Sequence, residues 1–417
     1  MLIEADQRAL LRAIFEVGVA AAQAEAGLPG QLPLDRPPGR TALLALGKAA
    51  GQMARVALDR LPVDEALIIT RRGHMPAGWA PPACAQVIQA GHPNPDAASL
   101  LAGETAVALA ESLGPGDRLI ALISGGGSAL MAAPVQGISF PEKQAIYRAL
   151  LASGAPIADM NQVRAALSRV KGGRLAALAY PAQVVTFVMS DVPGDNAALV
   201  ASGPTCALPD GDDPISILAR WGIAVPDRVA EIMRRDRPAL RKSDQAVVVA
   251  RPADALAAMA RRAAAAGFRP VLLGDAIEGD AVAIAQAHAS LAIAFHDASQ
   301  RVAIISGGEA SVQVTAPSGI GGRNLAYALA LAIALDGRAG IFAVAADSDG
   351  IDGTSDAAGA MIFPTTLHRA VERQLCPAQC LRDQNSADLF ARLGDTLVTG
   401  PTGTNVNDLR ALLVDPA

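Results

Sequence analysis

The sequence predicts an α/β protein with two domains: a first domain built on a mostly parallel sheet, and a second, smaller α/β domain. Short apolar segments without inside–outside alternation are separated by helical patterns along most of the chain, which is typical of parallel sheets covered on both faces. The 417 residues are too many for one ordinary core. Hydrophobic residues make up 51% and charged residues 18% of the chain, a balance that supports packed cores and argues against disorder.

The first domain is predicted over residues 1–237. It opens with a helix whose apolar residues recur at helical spacing, and strands and helices then alternate. The predicted strands are residues 41–46, 66–70, 86–89, 118–123 and 184–189. The predicted helices are residues 5–26, 49–61, 96–113, 141–153 and 159–170.

The second domain is predicted over residues 238–417. The boundary is placed at about residue 237, in a segment rich in charge and helix breakers. A new strand–helix–strand pattern follows. Its predicted strands are residues 246–250, 271–273, 302–305 and 341–346, and its predicted helices are residues 253–266 and 280–296.

Charge and composition exclude several classes of protein. The net charge of −5 offers no basic surface for nucleic acid. The first residues lack the pattern of a signal peptide and no apolar run reaches the length of a membrane span, so we expect a cytoplasmic protein without a membrane partner. The four cysteines are scattered and are expected to be reduced thiols. Only four residues are lysine and all other basic residues are arginine or histidine, so a lysine here is less likely to be an ordinary surface charge. His92 lies in a Gly-His-Pro-Asn-Pro-Asp segment and is interpreted first as structural, with contact to the substrate as the second interpretation.

A Ser-Gly-Gly-Gly-Ser turn follows the predicted strand 118–123. Glycines at a strand end let backbone N–H groups approach an anion, so the turn is interpreted as a cradle for phosphate or carboxylate. A tight turn without a ligand is the alternative. The spacing is neither that of a Walker A loop nor that of a dinucleotide-binding fingerprint. The turn consists of Ser124, Gly125, Gly126, Gly127 and Ser128.

Two further strand ends in the first domain carry reactive side chains. Gly47 and Lys48 follow the first strand, where a lysine can act as a mobile charge for a phosphoryl group. Asp191 and Asp195 follow the strand 184–189, with Asn196 beside them as a binding residue. The two carboxylates suit general-base work or metal binding, and an aspartate-rich turn is the equal alternative.

The second domain offers two possible anion sites. A second Ser-Gly-Gly turn is expected after the strand 302–305, echoing the first. A glycine-rich segment also places Arg323 in the first turn of a helix, a position that favours an anion partner because arginine is otherwise unfavourable there. The residues predicted to bind substrate or nucleotide here are Ser306, Gly307, Gly308, Glu309 and Asn324.

An acidic loop follows the strand 341–346. Asp347, Asp349 and Asp352 depart from EF-hand spacing, so a Mg²⁺ held by one or two carboxylates and substrate phosphates is the favoured interpretation, with an Asp/Gly turn cluster as the alternative. Thr354 is predicted to bind substrate or nucleotide beside this loop. Asn405 and Asn407 lie in a polar loop near the end of the chain that suits sugar-acid or ribose hydroxyls.

These motifs as a set resemble the class II glycerate 2-kinase family. The first half contributes Gly47-Lys48, Gly-His-Pro-Asn-Pro-Asp, Ser-Gly-Gly-Gly-Ser, Lys171-Gly-Gly-Arg174 and Ser-Asp-Val-Pro-Gly-Asp. The second half, with Ile-Ser-Gly-Gly-Glu, Gly-Arg323-Asn and the acidic loop, resembles that family's MOFRL domain. The likeness covers nearly the whole chain in the same order.

The resemblance implies ATP-dependent phosphorylation of D-glycerate to 2-phosphoglycerate with a divalent metal. It implies a Rossmann-like first domain, a smaller second domain and an active site in the cleft between them, with Lys48 and Arg323 as the catalytic pair. Asp191 is our candidate to accept the proton of the 2-hydroxyl. Some members of the family are labelled hydroxypyruvate reductase, so an NAD(P)H-dependent reductase and a non-catalytic sugar-acid or nucleotide-binding protein remain alternatives. We expect either a monomer or a homodimer.

Overall fold

The computed structural model describes residues 2–235, 245–313 and 319–416. The chain forms two compact units: Gly27–Val249, and Met1–Ala26 together with Ala250–Ala417. The predicted boundary at residues 237 and 238 lies outside the described residues. The predicted two-part α/β architecture, with a mostly parallel sheet in one part, is confirmed.

Fourteen strands are present in the described residues. In chain order they are β1 Thr41–Leu46, β2 Glu65–Arg71, β3 Ala85–Ala90, β4 Arg118–Ile123, β5 Gln183–Met189, β6 Gln245–Ala250, β7 Arg269–Gly274, β8 Gly279–Asp280, β9 Val302–Gly308, β10 Ala310–Ser311, β11 Ile341–Asp347, β12 Gly359–Ile362, β13 Thr396–Leu397 and β14 Asp408–Val414.

The same residues contain sixteen α-helices and two short 3₁₀ turns, Pro193–Asp195 and Val200–Ser202. The α-helices are α1 Glu4–Ala21, α2 Ala24–Gly27, α3 Ala50–Leu58, α4 Ala97–Glu111, α5 Gly127–Leu130, α6 Phe140–Ser153, α7 Ile157–Ala166, α8 Arg174–Leu178, α9 Pro214–Arg220, α10 Asp227–Arg235, α11 Pro252–Ala265, α12 Ala281–Asp297, α13 Arg323–Leu335, α14 Thr366–Glu372, α15 Pro377–Arg382 and α16 Ser386–Leu393.

The unit Gly27–Val249 is built on a sheet with the strand order β3-β2-β1-β4-β5-β6. Strands β1 to β5 pair in parallel, and β1 and β4 are buried along their whole length. This is the order of a doubly wound nucleotide-binding sheet, in which the direction of winding reverses between β1 and β4. Ligands bind such sheets at that reversal, beyond the carboxyl ends of the strands.

A layer of helices with a core of its own completes this unit. Helices α6, α7, α9 and α10 bury a separate cluster of apolar residues that includes Ile146, Leu150 and Val163. A capping box fixes the start of α6: Ser139 accepts a hydrogen bond from the N–H of Glu142, and the Glu142 carboxylate accepts one from the N–H of Ser139. The start of α6 is therefore held in place at the edge of this layer.

The strand predicted to open the second domain belongs to the first sheet instead. β6 lies at the edge of that sheet next to β5. Its Val248 packs against the apolar core of the first unit. The sequence shows only that a strand precedes a helix, whereas strand order is decided by packing, so residues 246–250 form a strand as predicted but extend the first sheet.

The second unit is built on a mixed sheet with the order β13-β12-β11-β14-β9-β7. β7 and β9 are parallel, whereas β14 runs antiparallel between β9 and β11. The first helix of the chain, predicted within the first domain, also belongs to this unit. There α1 packs against α11, and the position that a Cβ of Gly18 would occupy is 2.8 Å from Cγ of Met259.

Among the described residues, no helix is both long and apolar enough to cross a membrane.

Gly47→Ala is expected to lower the free energy of unfolding by about 2–4 kcal/mol. Gly47 has a φ of +122°, and a Cβ there would lie 2.2 Å from Oγ of Ser124. Chemical denaturation measures the change. Gly114→Ala is the matched control because nothing lies within 4 Å of its Cβ position, and we expect a change within about 1 kcal/mol. Equal effects of the two substitutions would contradict the close packing of the β1 and β4 ends.

Candidate active site

The ends of β1 and β4 are tied together at the reversal point of the first sheet. The N–H of Lys48 donates to the carbonyl of Gly125 at 2.9 Å. Oγ of Ser124 accepts from the N–H of Ala49 at 3.1 Å, and Ser124 is fully buried. The structure therefore brings Gly47, Lys48 and the Ser-Gly-Gly-Gly-Ser turn together, although the hydroxyl of Ser124 has a structural role.

The glycine turn exposes a row of backbone donors. Gly126 has a left-handed φ of +80° and precedes the short helix α5. Within the described part of the chain, the N–H groups of residues 125–128 donate no hydrogen bond. Gly125 and Gly127 are nevertheless buried. Buried backbone donors are almost always paired, so this turn has the donors that an anion would need.

Asp191 and Asn196 follow β5 at the same edge of the sheet. β5 ends at Met189 beside β4, so Asp191 lies two residues beyond the carboxyl end of a neighbouring strand. Oδ1 of Asn196 accepts from the N–H of Ala198 at 3.0 Å. Asn196 therefore shapes the turn with one of its polar atoms.

A cavity of about 230 Å³ adjoins the glycine turn, and its charged residues were not among the predicted site residues. Its walls come from the glycine turn, the His92 segment, α6, α7 and the segment that follows α7. The lining residues are His92, Pro93, Pro95, Gly126, Ser128, Ala129, Ala132, Phe140, Lys143, Gln144, Tyr147, Leu150, Arg164, Leu167 and Lys171. We call this cavity the cationic pocket, after Lys143, Arg164 and Lys171. His92, interpreted as structural, lines it.

The cationic pocket holds its positive charges away from water. Nζ of Lys143 is shielded from solvent and has no hydrogen-bond partner in the described residues. Burial, and then the nearby charge of Arg174, lower the pKa of Lys143 from 10.5 to about 7. Lys171 is 3% exposed; burial, and then Lys143 and Arg164, lower its pKa well below the usual value. Like charges are thus kept together in a poorly solvated space.

The second Ser-Gly-Gly segment is part of a strand, which corrects the predicted turn. Ser306, Gly307 and Gly308 form the last residues of β9 and pair with Arg410, Leu409 and Asp408 of β14. A Cβ on Gly308, whose φ is +114°, would lie 2.3 Å from the backbone of Ile277. These glycines admit a crossing backbone segment, and we find no loop for an anion there.

Arg323, at the start of α13, bonds to three carboxylates. Its Nε donates to Asp408 at 2.7 Å, Nη1 to Glu309 at 2.9 Å and Nη2 to Asp347 at 2.9 Å. Although burial disfavours its charge, Asp408, Asp347 and Glu309 raise the pKa of Arg323 well above its usual value. A guanidinium has five N–H donors, so two remain without a partner among the described residues.

Asp408 and Arg410, absent from the predicted site residues, complete this cluster. Oδ2 of Asp408 accepts from the Arg410 guanidinium, and both side chains are fully buried. Oδ1 also accepts from Nδ2 of Asn324 at 2.7 Å. Burial opposes ionisation, but Arg323 and Arg410 hold the pKa of Asp408 below its usual range. The charged residues at alternate positions of an otherwise apolar strand were the available sequence signal.

The predicted metal ligands divide among separate tasks. Oδ2 of Asp347 bonds to Arg323, and Oδ1 of Asp349 accepts from the N–H of Ile351 at 2.8 Å. Both oxygens of Asp352 accept N–H groups at the start of α13, at 3.1 Å from Asn324 and 2.8 Å from Leu325. Among the described residues, no group of three acidic, histidine or cysteine side chains could hold a metal ion. Asp352 is thus a helix cap, and its pKa is raised to about 6 by burial.

The remaining predicted residues lie around the acidic loop. The N–H of Thr354 donates to the carbonyl of Gly321 at 3.0 Å, which joins this loop to the segment before α13. The carbonyl of Asn407 accepts from the N–H of Ser348 at 3.0 Å. Asn405 and Asn407 are 3% and 6% exposed. The loop that carries them is therefore packed against the acidic loop.

Two protein-family models match the sequence of this chain. Residues 10–234, more than half of the chain, match the family described as "Domain of unknown function (DUF4147)". Residues 302–408 match the MOFRL family. The chain is also 35% identical over 379 residues to "D-glycerate 2-kinase" of Thermotoga maritima, covering 89% of each protein. This chain belongs to the class II glycerate kinase family.

Two further comparisons cover nearly the whole chain. The crystal structure of a glycerate kinase from Thermotoga maritima superposes with a TM-score of 0.85 at 33% identity, covering 98% of this chain and 99% of that one. A "Putative hydroxypyruvate reductase" of Agrobacterium vitis is 42% identical over 423 residues, covering 99% of this chain and 95% of that protein. Relatives of this kinase family thus carry two different names.

Asp408→Asn is expected to destabilise this family member by about 3–5 kcal/mol, because it leaves the buried Arg410 without its carboxylate. Glu309→Gln is the comparison within the same cluster. Glu309 contacts Arg323 through a side chain that is 54% exposed, so its change should stay within about 1 kcal/mol. Chemical denaturation measures both. A small loss for Asp408→Asn would show that Arg410 does not depend on it.

Lys143→Met is expected to stabilise the protein near neutral pH. Between about pH 7 and pH 10.5 the folded protein binds fewer protons at Lys143 than the unfolded chain, so its free energy of unfolding rises with pH there. Methionine removes the cost of burying a charged amine. Since the side chain of Lys143 is only half-buried, we expect the free energy of unfolding to increase by about 1–3 kcal/mol at about pH 7 and by less towards pH 10. Denaturation at both pH values measures it. A gain independent of pH would contradict the lowered pKa.

Proposed function

We propose that this chain transfers the γ-phosphoryl group of ATP to the 2-hydroxyl of D-glycerate, giving 2-phospho-D-glycerate and ADP. The proposal rests on the tie between the Lys48 turn and the glycine turn at the reversal point of the first sheet. That is where a doubly wound sheet binds its ligand, and both turns offer what phosphoryl transfer needs: a lysine charge and buried backbone donors. The kinase relatives support the same chemistry.

The reaction is an in-line displacement. The 2-hydroxyl oxygen forms a bond to the γ-phosphorus while the bond from that phosphorus to the β–γ bridging oxygen breaks, and ADP leaves with the bridging oxygen. The hydroxyl proton passes to the carboxylate of Asp191 and from there to solvent. Lys48 and Arg323 offset negative charge on the transferring group, Arg323 through the two N–H donors that its carboxylates leave over.

A divalent cation is expected to accompany ATP. Mg²⁺ usually takes one or two carboxylates together with substrate phosphates, and Asp347 and Asp349 offer carboxylates of this kind. Asp352 is the third predicted ligand; we favour the other two because Asp352 accepts N–H groups at the start of α13 with both oxygens and burial raises its pKa to about 6, which disfavours the charged form that a metal needs. When bound, the cation would neutralise charge on the β- and γ-phosphates.

The reductase name of the Agrobacterium vitis relative makes hydride transfer the second candidate. In a dinucleotide-binding sheet, the turn after the first strand has the pattern Gly-x-Gly-x-x-Gly. In this chain that turn reads Gly47-Lys-Ala-Ala-Gly51-Gln. We therefore favour the kinase. Incubating the protein with hydroxypyruvate and NADH, and following the nicotinamide absorbance, tests the alternative directly.

Lys48→Ala is expected to lower kcat for D-glycerate phosphorylation by about 10³-fold or more, because a charge on the transferring group is lost. The assay contains ATP, Mg²⁺ and D-glycerate, and phosphorus NMR distinguishes 2-phosphoglycerate from 3-phosphoglycerate. Arg323→Ala is assayed in the same way, and its kcat should also be lower than that of the wild type.

The matched control is Arg12→Ala, which removes a cation from an exposed pair with Glu16 on α1. Its turnover should equal that of the wild type. Near-normal turnover in Lys48→Ala would remove that residue from the mechanism. 3-Phosphoglycerate as the wild-type product would make the proposed position of transfer wrong, and NADH consumption without phosphorylation would favour the reductase.

A further inference from the structure

The cationic pocket contains three basic side chains that no carboxylate of the described residues pairs with. Lys143, Arg164 and Lys171 come from α6, α7 and the segment after α7, and all three line one cavity. None of them forms an ion pair with a described carboxylate, and no carboxylate contributes to the pKa of any of the three. Burying unpaired charge is costly, so such a cluster is understandable when a ligand supplies the missing negative charge.

The three cations differ in how they are held. Nζ of Lys171 donates to the carbonyl of Ser128 at 2.8 Å, which fixes it to the end of the glycine turn. The Arg164 guanidinium bonds to the hydroxyl of Tyr147 and to Oδ1 of Asn161, and lies over the Tyr147 ring at 4.3 Å. Nζ of Lys143 alone lacks a partner among the described residues. Lys143 is therefore the side chain of the three that is best placed to bind an anionic group of a ligand.

The size and lining of the pocket favour a small ligand. Its volume of about 230 Å³ lies below the range of roughly 300–1,000 Å³ that drug-sized ligands occupy, which favours a small acid over a whole nucleotide. Apart from the cations, most of its walls are apolar, including Ala129, Ala132 and Leu150. One concentrated positive end and a short apolar wall suit a compact acid better than a chain of phosphates.

The pocket also lies next to the proposed phosphoryl-transfer residues. Gly126 and Ser128 line it, and a Cβ on Gly126 would lie 3.0 Å from Cγ of Lys48 and 3.3 Å from the His92 ring. An acid whose anionic end reached Lys143 would have its other end near the glycine turn. The acidic group of such a ligand would thus be bound at Lys143, while the group at its other end would lie near the residues proposed for phosphoryl transfer.

We propose that Lys143, Arg164 and Lys171 bind the carboxylate of the acceptor substrate and make the enzyme selective for a small hydroxy acid over an uncharged polyol. This inference rests on the proposed kinase function. It assigns the acceptor to the cationic pocket of the first unit and leaves the triphosphate to other groups. Carboxylate and phosphate oxygens would both suit these donors, so the experiment must separate acceptor from nucleotide.

Lys143→Met tests the assignment, with Arg148→Met, an exposed position on the same helix, as the matched control. Loss of a charged hydrogen bond should raise KM for D-glycerate by about 10- to 100-fold, while KM for ATP changes by less than about threefold. The control should leave both values unchanged. A rise in KM for ATP alone would show that the pocket takes nucleotide phosphate, and unchanged values for both substrates would show that it takes neither.

A binding measurement separates this inference from the proposed function. Isothermal titration of the wild type with D-glycerate should detect binding, whereas D-glyceramide, its neutral amide, should bind about 10-fold more weakly or worse. Lys143→Met should remove most of this difference, because only the acid uses the lysine charge. Binding of D-glycerate without phosphorylation would contradict the proposed kinase function and support the assignment of the carboxylate to the cationic pocket. Phosphorylation of D-glycerate together with equal affinity for the acid and the amide would support the kinase function and contradict the assignment of the carboxylate to the cationic pocket.

Discussion

The hydrogen bonds between the β1 and β4 turns are the constraint on which the first unit depends. They close the point where the sheet changes its direction of winding, and they require Gly47, because Oγ of Ser124 occupies the place of a side chain. The same contacts fix Lys48 next to the glycine turn, and Lys171 bonds to the carbonyl at the end of that turn. A structural need of the sheet thereby positions a lysine, a row of backbone donors and the wall of a pocket.

The second unit positions its residues through charge rather than through backbone turns. Arg323 and Arg410 lie on either side of Asp408, and Glu309 and Asp347 bond to the outer face of Arg323. Three carboxylates face two guanidinium groups, so the cluster is acidic overall. Arg323 is therefore held in place by its carboxylates, while the cluster as a whole keeps a net negative charge.

The sequence predicted those parts of the fold that depend on local pattern. The buried strands 41–46 and 118–123 were predicted with the observed bounds, since apolar runs followed by glycine leave little choice. The two Ser-Gly-Gly segments show the limit. Residues 124–126 turn after a strand, whereas residues 306–308 continue one, because β14 pairs with them and residue 277 crosses close by. The pocket cations were missed since three separate elements supply them, and only packing brings them together.

The scarcity of lysine gives the low pKa of Lys143 a chemical consequence. A lysine that is largely protonated at neutral pH is a poor nucleophile, whereas burial lowers the pKa of Lys143 to about 7 and so raises the share of its free, nucleophilic amine. The chain has only three other lysines. An amine-acylating reagent small enough to enter the pocket would therefore find Lys143 more reactive than an ordinary lysine, and protection of Lys143 from acylation would report on what occupies that space.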